Sequence, residues 1–101
     1  MVRSAVNYRT SQIADIESHE AVAKAAGGNI VWDLSHATGV VALDLHASGA
    51  KLATGCTYKY LNGGPGAPAF IYAHSSVVER LQTPMPGWMG HAAPFAFSST
   101  Y

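Results

Sequence analysis

Lys59 is the residue with the clearest capacity for chemistry. It stands in Thr57-Tyr58-Lys59-Tyr60-Leu61-Asn62-Gly63-Gly64-Pro65-Gly66, after a β-type run from Leu52 to Thr57 and before a glycine-rich turn. Asp33 closes an earlier apolar run, Asn29-Ile30-Val31-Trp32, with His36 close behind. In an α/β sheet both Asp33 and Lys59 fall at the carboxyl ends of parallel strands, where ligands bind. A lysine amine and a carboxylate meeting there suit pyridoxal phosphate (PLP). The amine condenses with the aldehyde, and the carboxylate keeps the pyridine nitrogen protonated so that the ring draws electrons. Each residue alone has a blander reading: a surface lysine, a capping aspartate, a hydrogen-bonded turn histidine. Their joint placement argues for chemistry.

The remaining motifs are weaker. Gly63-Gly64-Pro65-Gly66 lacks the lysine and hydroxyl residue of a P-loop and does not match G-x-G-x-x-G, so it reads as a tight turn with positive φ values. His19, His36, His46, His74 and His91 show no paired ligand spacing such as H-E-x-x-H, and no metal is expected. Cys56 is the single cysteine; inside a strand expected to be buried, it reads as a small hydrophobe and not as a nucleophile.

The elements that must position these residues follow from pattern. Val2 to Val6 reads as a weak strand. A helix is predicted from Glu17 or Ser18 to Ala26, with Val22, Ala25 and Ala26 at helical spacing, Ser18 as N-cap, Glu20 suiting the helix dipole and Gly27-Gly28 as the stop. Asn29 to Leu34 lacks polar alternation and is expected to be a strand buried on both faces. A short helix near Asp44 to Ser48, strands at 52–57 and 69–73 and a helix from Ser75 to Leu81 complete a βαβ-like alternation. The tail after Thr83 reads as loop.

The bulk numbers exclude several classes. A chain of 101 residues supports at most one small domain. Its 12% charged residues are about half the ~25% of a typical soluble domain, which fits a segment from the interior of a larger protein. Formal net charge is zero, so nothing favours nucleic acid or an acidic membrane surface. No apolar run approaches the roughly 20 residues that span a bilayer, and Met1-Val2-Arg3-Ser4 lacks a signal-peptide apolar region. With one cysteine and no internal disulfide, a cytoplasmic protein is the expectation.

Trp32-Asp33-Leu34-Ser35-His36-Ala37-Thr38-Gly39 and Gly55-Cys56-Thr57-Tyr58-Lys59-Tyr60-Leu61-Asn62-Gly63-Gly64-Pro65-Gly66-Ala67-Pro68 resemble the kynureninases. Val6-Asn7-Tyr8-Arg9-Thr10 and Gly87-Trp88-Met89-Gly90-His91 agree with the same family. The resemblance implies an α/β fold: part of the large domain of the PLP-dependent transferases of fold type I, a mainly parallel sheet with flanking helices over residues 1–101. It implies PLP-dependent hydrolysis of L-kynurenine, or its 3-hydroxy derivative, to anthranilate and alanine in tryptophan catabolism and NAD biosynthesis, by a homodimer.

By the same resemblance Lys59 carries the cofactor, Asp33 pairs with the pyridine nitrogen and His36 supports the cofactor near Asp33. Tyr58 is similar to a tyrosine on the cofactor phosphate that can assist proton transfer, and Ser4 falls beside the cofactor. Trp88 matches a tryptophan reaching the phosphate across the dimer interface, and His91 a residue near the substrate's aromatic ring. Two departures stand out: Ser11 replaces a usual glycine, so that turn is expected to differ, and Ala5 replaces a frequent histidine. The family's cofactor-stacking aromatic, upstream phosphate-binding residues and substrate-carboxylate arginine would fall outside this sequence, so the chain alone is expected to be inactive. Two alternatives stay open. A cysteine desulfurase would share Asp33 and Lys59 but carry histidine where Tyr58 stands; a truncated, non-catalytic remnant would keep the sheet and bind nothing.

Overall fold

The computed structural model describes residues 1–84 and 87–97, with the backbone alone of Trp88. Strand β1 (Val2–Ser4), helix α1 (Ile16–Ala25), strands β2 (Val31–Asp33), β3 (Leu52–Cys56) and β4 (Ala69–Ala73) and helix α2 (Ser75–Val78) precede two single 3-10 turns, Trp88–Gly90 and Pro94–Ala96. The strands form one sheet in the order β1-β2-β3-β4, with the first three parallel and β4 antiparallel to β3.

Helix α1 starts earlier than the periodicity predicts because Asp15, not Ser18, is its N-cap. The Asp15 carboxylate accepts from the Ser18 amide at 3.1 Å and the Ser18 hydroxyl at 2.6 Å. Those two bonds hold the Asp15 carboxyl below its ordinary value. At the other end Gly27 takes φ +68° and Gly28 N–H donates back to Ala23 O at 2.8 Å, closing the last turn as a left-handed glycine does.

The sheet has one covered face. Register pairs Trp32 with Ala53, Ala53 with Tyr72 and Gly55 with Phe70, so these side chains share a face. Trp32 is fully buried among Ala5, Ile16, Ile30, Leu34, Ala37, Ala50 and Ala53. Its indole N–H donates to Glu20 Oε1 at 2.8 Å, so the buried donor is satisfied and Glu20 has a tertiary role beyond the helix dipole. At Gly55 a Cβ would run into the Phe70 ring, so the strand can lie under that aromatic because it carries no side chain there.

The opposite face carries the row Ser4–Asp33–Thr54–Ile71. The expectation that 29–34 is buried on both faces is therefore corrected. Ile30, Trp32 and Leu34 are buried, while Val31 and Asp33 are half-buried. α1 and the 37–50 connection cover one side, and on the other Val2 and Ile71 stand 72% and 86% exposed.

Two connections also differ from the predicted alternation. Asp44 to Ser48 forms one turn and no helix. Asp44 Oδ1 accepts from Ala47 N–H at 2.8 Å and Asp44 O from Ser48 N–H at 3.0 Å, then Gly49 turns away at φ +76°. A single closed turn does not offset the cost of helix nucleation. The 57–68 connection holds turns and no helix, so the chain comes back antiparallel to β3 where a parallel return would need a crossover. In the glycine-rich turn Gly64 and Gly66 take the expected positive φ, at 79° and 81°, whereas Gly63 does not; Asn62 just before it adopts 57°. Among the described residues, no helix is long and apolar enough to cross a membrane.

Candidate functional site

Asp33 is the last residue of β2, and its carboxylate is fixed from two sides. Ser4 Oγ donates to Oδ2 at 3.3 Å, from the register partner on β1, and Ser35 N–H donates to Oδ1 at 2.9 Å. Burial is the largest single influence on this carboxyl and pushes its pKa up. The hydroxyl and amide of Ser35, the Ser4 hydroxyl and the nearby His36 together outweigh it, leaving Asp33 below its ordinary value and ionised at neutral pH.

After β2 the chain turns tightly. Ala37 N–H and Thr38 N–H both donate to Leu34 O at 2.9 Å, which swings His36 back toward the end of β3. Gly39 makes the approach possible. It adopts φ +92°, and a Cβ there would lie 2.8 Å from Tyr60 O, so glycine is required for both conformation and space.

Lys59 lies three residues beyond β3, half-buried, with Nζ 2.9 Å from His36 Nε2 and 3.5 Å from Nδ1. The Tyr8 ring stands 6.0 Å from the His36 ring at 32°. Thr57 braces the lysine loop: its Oγ1 donates to Pro68 O at 2.6 Å and its carbonyl accepts from Gly63 N–H at 2.9 Å. Tyr58 is 50% exposed, with Lys59 Nζ 5.7 Å from its ring centre.

The fold thus gathers Ser4, Asp33, His36, Tyr58 and Lys59 at the carboxyl ends of β1, β2 and β3. His91 lies in the C-terminal segment, where its Nδ1 accepts from Ala93 N–H at 2.8 Å, a local bond. The Trp88 side chain lies outside the described residues. Among the described residues no group of three or more His, Cys, Asp or Glu could hold a metal ion. Cys56 is half-buried, and its Sγ donates weakly to Ser35 O at 3.8 Å.

Sequence reasoning missed Ser35, Thr57 and Tyr8. The Asp-x-Ser spacing of an Asx-turn was a usable signal for Ser35. Tyr8 carries no such signal, because the fold alone brings it beside His36. The turn at Ser11 holds the left-handed conformation with a serine at φ 59°. Ala5 is fully buried in the core, so a histidine at that position would have to displace packed neighbours.

No family model matches the chain. In sequence it is 48% identical over 96 residues to kynureninase from Deinococcus radiodurans, 43% to that of Pseudomonas fluorescens and 45% to that of Burkholderia mallei. Each alignment takes in 95% of this chain and 23% of the relative. Among solved structures, alanine–glyoxylate aminotransferase from Nostoc superposes on 94% of the chain with a TM-score of 0.69 and 22% identity, using 26% of its own length. A NifS-like protein from Rickettsia africae covers 83% of the chain at a TM-score of 0.67 and 24% identity, using 22% of its own length. These structural likenesses establish that the chain shares the α/β fold of the matched parts of those two proteins. In sequence the chain is thus similar to kynureninases over 95% of its own length, and it spans 23% of the length of the curated relatives it matches.

Proposed function

We propose that the longer protein carrying this segment is a kynureninase: a PLP-dependent hydrolase that cleaves the Cβ–Cγ bond of L-kynurenine to give anthranilate and L-alanine, in the cytoplasm and as a homodimer. The observation that carries the reading is the half-buried Lys59 amine, 2.9 Å from His36 Nε2, at the same sheet end as the ionised Asp33. The residues present fit the cofactor: a reachable amine, and a carboxylate whose hydrogen bonds keep its charge. When bound, pyridoxal phosphate supplies an aldehyde that captures amines and a ring that accepts electrons.

The chain's own groups divide the remaining work. Lys59 is the amine that would hold the cofactor, and its Nζ is the base that would take the substrate's α-proton. His36 Nε2 positions that amine by hydrogen bonding. Asp33, braced by Ser35 and Ser4, presents negative charge to the ring nitrogen. Tyr58 would contact the phosphate, as the family likeness implies, and move a proton in the later steps, with water adding to the substrate's side-chain carbonyl. Trp88 from the second subunit and His91 near the aromatic ring come from the family likeness. A cysteine desulfurase on the same fold is the second reading, and Tyr58 directly before Lys59 disfavours it.

The test uses the longer protein. Mixing it with PLP should give a visible absorbance band, and adding L-kynurenine should release fluorescent anthranilate. A folded protein that binds PLP and releases no anthranilate from kynurenine or 3-hydroxyanthranilate from 3-hydroxykynurenine would refute the assignment.

A further inference from the structure

The histidines show no ligand spacing in sequence, yet the fold brings two of them together. His46 sits in the turn after Asp44, and His74 follows β4 as the N-cap of α2. His74 is anchored through its backbone, whose N–H donates to Lys51 O at 2.9 Å. His74 Nε2 and His46 Nδ1 are 3.0 Å apart, with ring centres 5.0 Å apart and planes at 27°. The other nitrogen of His74, Nδ1, has Ser76 N–H at 3.1 Å and Ser76 Oγ at 2.8 Å.

We propose that His46 and His74 form an exchangeable two-imidazole site for a divalent transition ion of the Zn2+, Ni2+ or Cu2+ class. Imidazole nitrogens bind such ions at about 2.0–2.1 Å, which sets neighbouring ligand nitrogens about 2.9–3.4 Å apart in octahedral or tetrahedral geometry. The observed 3.0 Å lies in that range. Without an ion, His74 Nδ1 accepts from the Ser76 amide, so its proton is on Nε2 and is donated to His46 Nδ1.

Metal binding at Nε2 needs that proton moved, and the fold supplies the place. The proton shifts to Nδ1, which ends its acceptance from the Ser76 amide and makes Ser76 Oγ, 2.8 Å away, the acceptor that orients the ligating ring. No net proton is gained or lost by His74, and His46 Nδ1 already offers its lone pair. Water completes the coordination, so the ion exchanges where a four-ligand structural site would hold it. Bound there, it ties the 45–49 turn to the start of α2.

The test is a Zn2+ titration of the 101-residue chain, followed by histidine ¹H–¹⁵N correlation spectra. The expected result is a change of His74 from the Nε2–H to the Nδ1–H tautomer, with His46 signals moving at the same Zn2+ concentration. His74→Asn keeps a good helix cap while removing the ligand, and His46→Ala removes the other; each should weaken binding about tenfold or more. His19→Ala should leave it unchanged. The proposal is overturned by absent binding, by binding without the tautomer change, or by wild-type affinity in either ligand variant. Equal loss in His19→Ala, the mark of diffuse association with any histidines, overturns it too.

Discussion

Between Met1 and Cys56, beside the local turns and caps, several bonds join residues far apart in the chain. The Met1 ammonium donates to Asn29 O at 2.9 Å, Ala5 N–H to Asp33 O at 2.9 Å and Leu34 N–H to Thr54 O at 2.8 Å. In 87–97 the described backbone bonds are local: Gly90 N–H to Gly87 O at 2.7 Å and Ala96 N–H to Ala93 O at 3.0 Å. The buried cluster ends at Ala53, and Met89 stands 65% exposed. The contrast teaches where each part of the site gets its geometry. Asp33, His36 and Lys59 are set by the sheet and its turns.

The largest effect that could break this contrast is chemical. In the longer protein Lys59→Ala should lower kynurenine turnover by orders of magnitude, read as anthranilate fluorescence, because no other amine on the described strands meets His36 Nε2. Lys59→Arg should fail equally, since a guanidinium stays protonated and cannot capture the aldehyde. Near-normal turnover in either variant would remove the sheet end from the chemistry.

Next in size is Trp32. It is fully buried, and its truncation to alanine should cost about 3–5 kcal/mol. Against a total stability of about 5–15 kcal/mol for a typical domain, much of the fold should be lost, as urea denaturation would report. Trp32→Phe should cost less but leave Glu20 Oε1 without its indole donor. A mild Trp32→Ala phenotype would mean that the sheet does not depend on this core.

Such dependence explains what was legible in the sequence. β1, α1, β2 and β3 could be read because apolar runs end at marked stops, such as Gly27 and the lysine loop after Cys56. Asp33 and Lys59 were readable because chemistry restricts residue types at strand ends. The N-cap was not, since Ser18 and Asp15 are both good caps and tertiary placement decides between them. β4 looks the same in sequence whether it runs parallel or antiparallel. The contacts of His36 with Lys59 and of His74 with His46 span 23 and 28 residues and depend on turns that no spacing rule encodes.

Smaller effects sharpen the account of Asp33. Its pKa is lowered on folding, so it contributes stability that is present above the unfolded value and lost as pH falls through the lower folded value. Ser35→Ala removes a bond that favours the charged form, so the Asp33 carboxyl should titrate at higher pH, as carboxyl ¹³C shifts would show. An unmoved titration would mean that Ser35 does not hold that charge. Ser11 offers a test of comparable modesty. A serine at φ 59° pays a steric cost that glycine avoids, partly offset by glycine's freer unfolded chain. Ser11→Gly should therefore stabilise the chain by up to about 1 kcal/mol, and a destabilised variant would show that the turn is held by the serine side chain.

The smallest expected effect bears most directly on the contrast itself. Met89 lies in the Trp88–Gly90 turn at 65% exposure, with no place in the buried cluster. Met89→Ala should then change the stability of the isolated chain by no more than about 0.5 kcal/mol, the range of ordinary surface substitutions. In the longer protein the same side chain has a different expected role. If this turn lies against a second subunit, as the reading of Trp88 requires, Met89→Asp would place a charge in an apolar contact. It should weaken subunit association, measured by sedimentation equilibrium, while leaving the monomer's unfolding midpoint unmoved. A loss above about 1 kcal/mol for Met89→Ala in the isolated chain would show that the C-terminal turns share the sheet's core after all. Unchanged association with Met89→Asp would instead take the turn away from the interface, and Trp88's proposed reach across it would lose its footing.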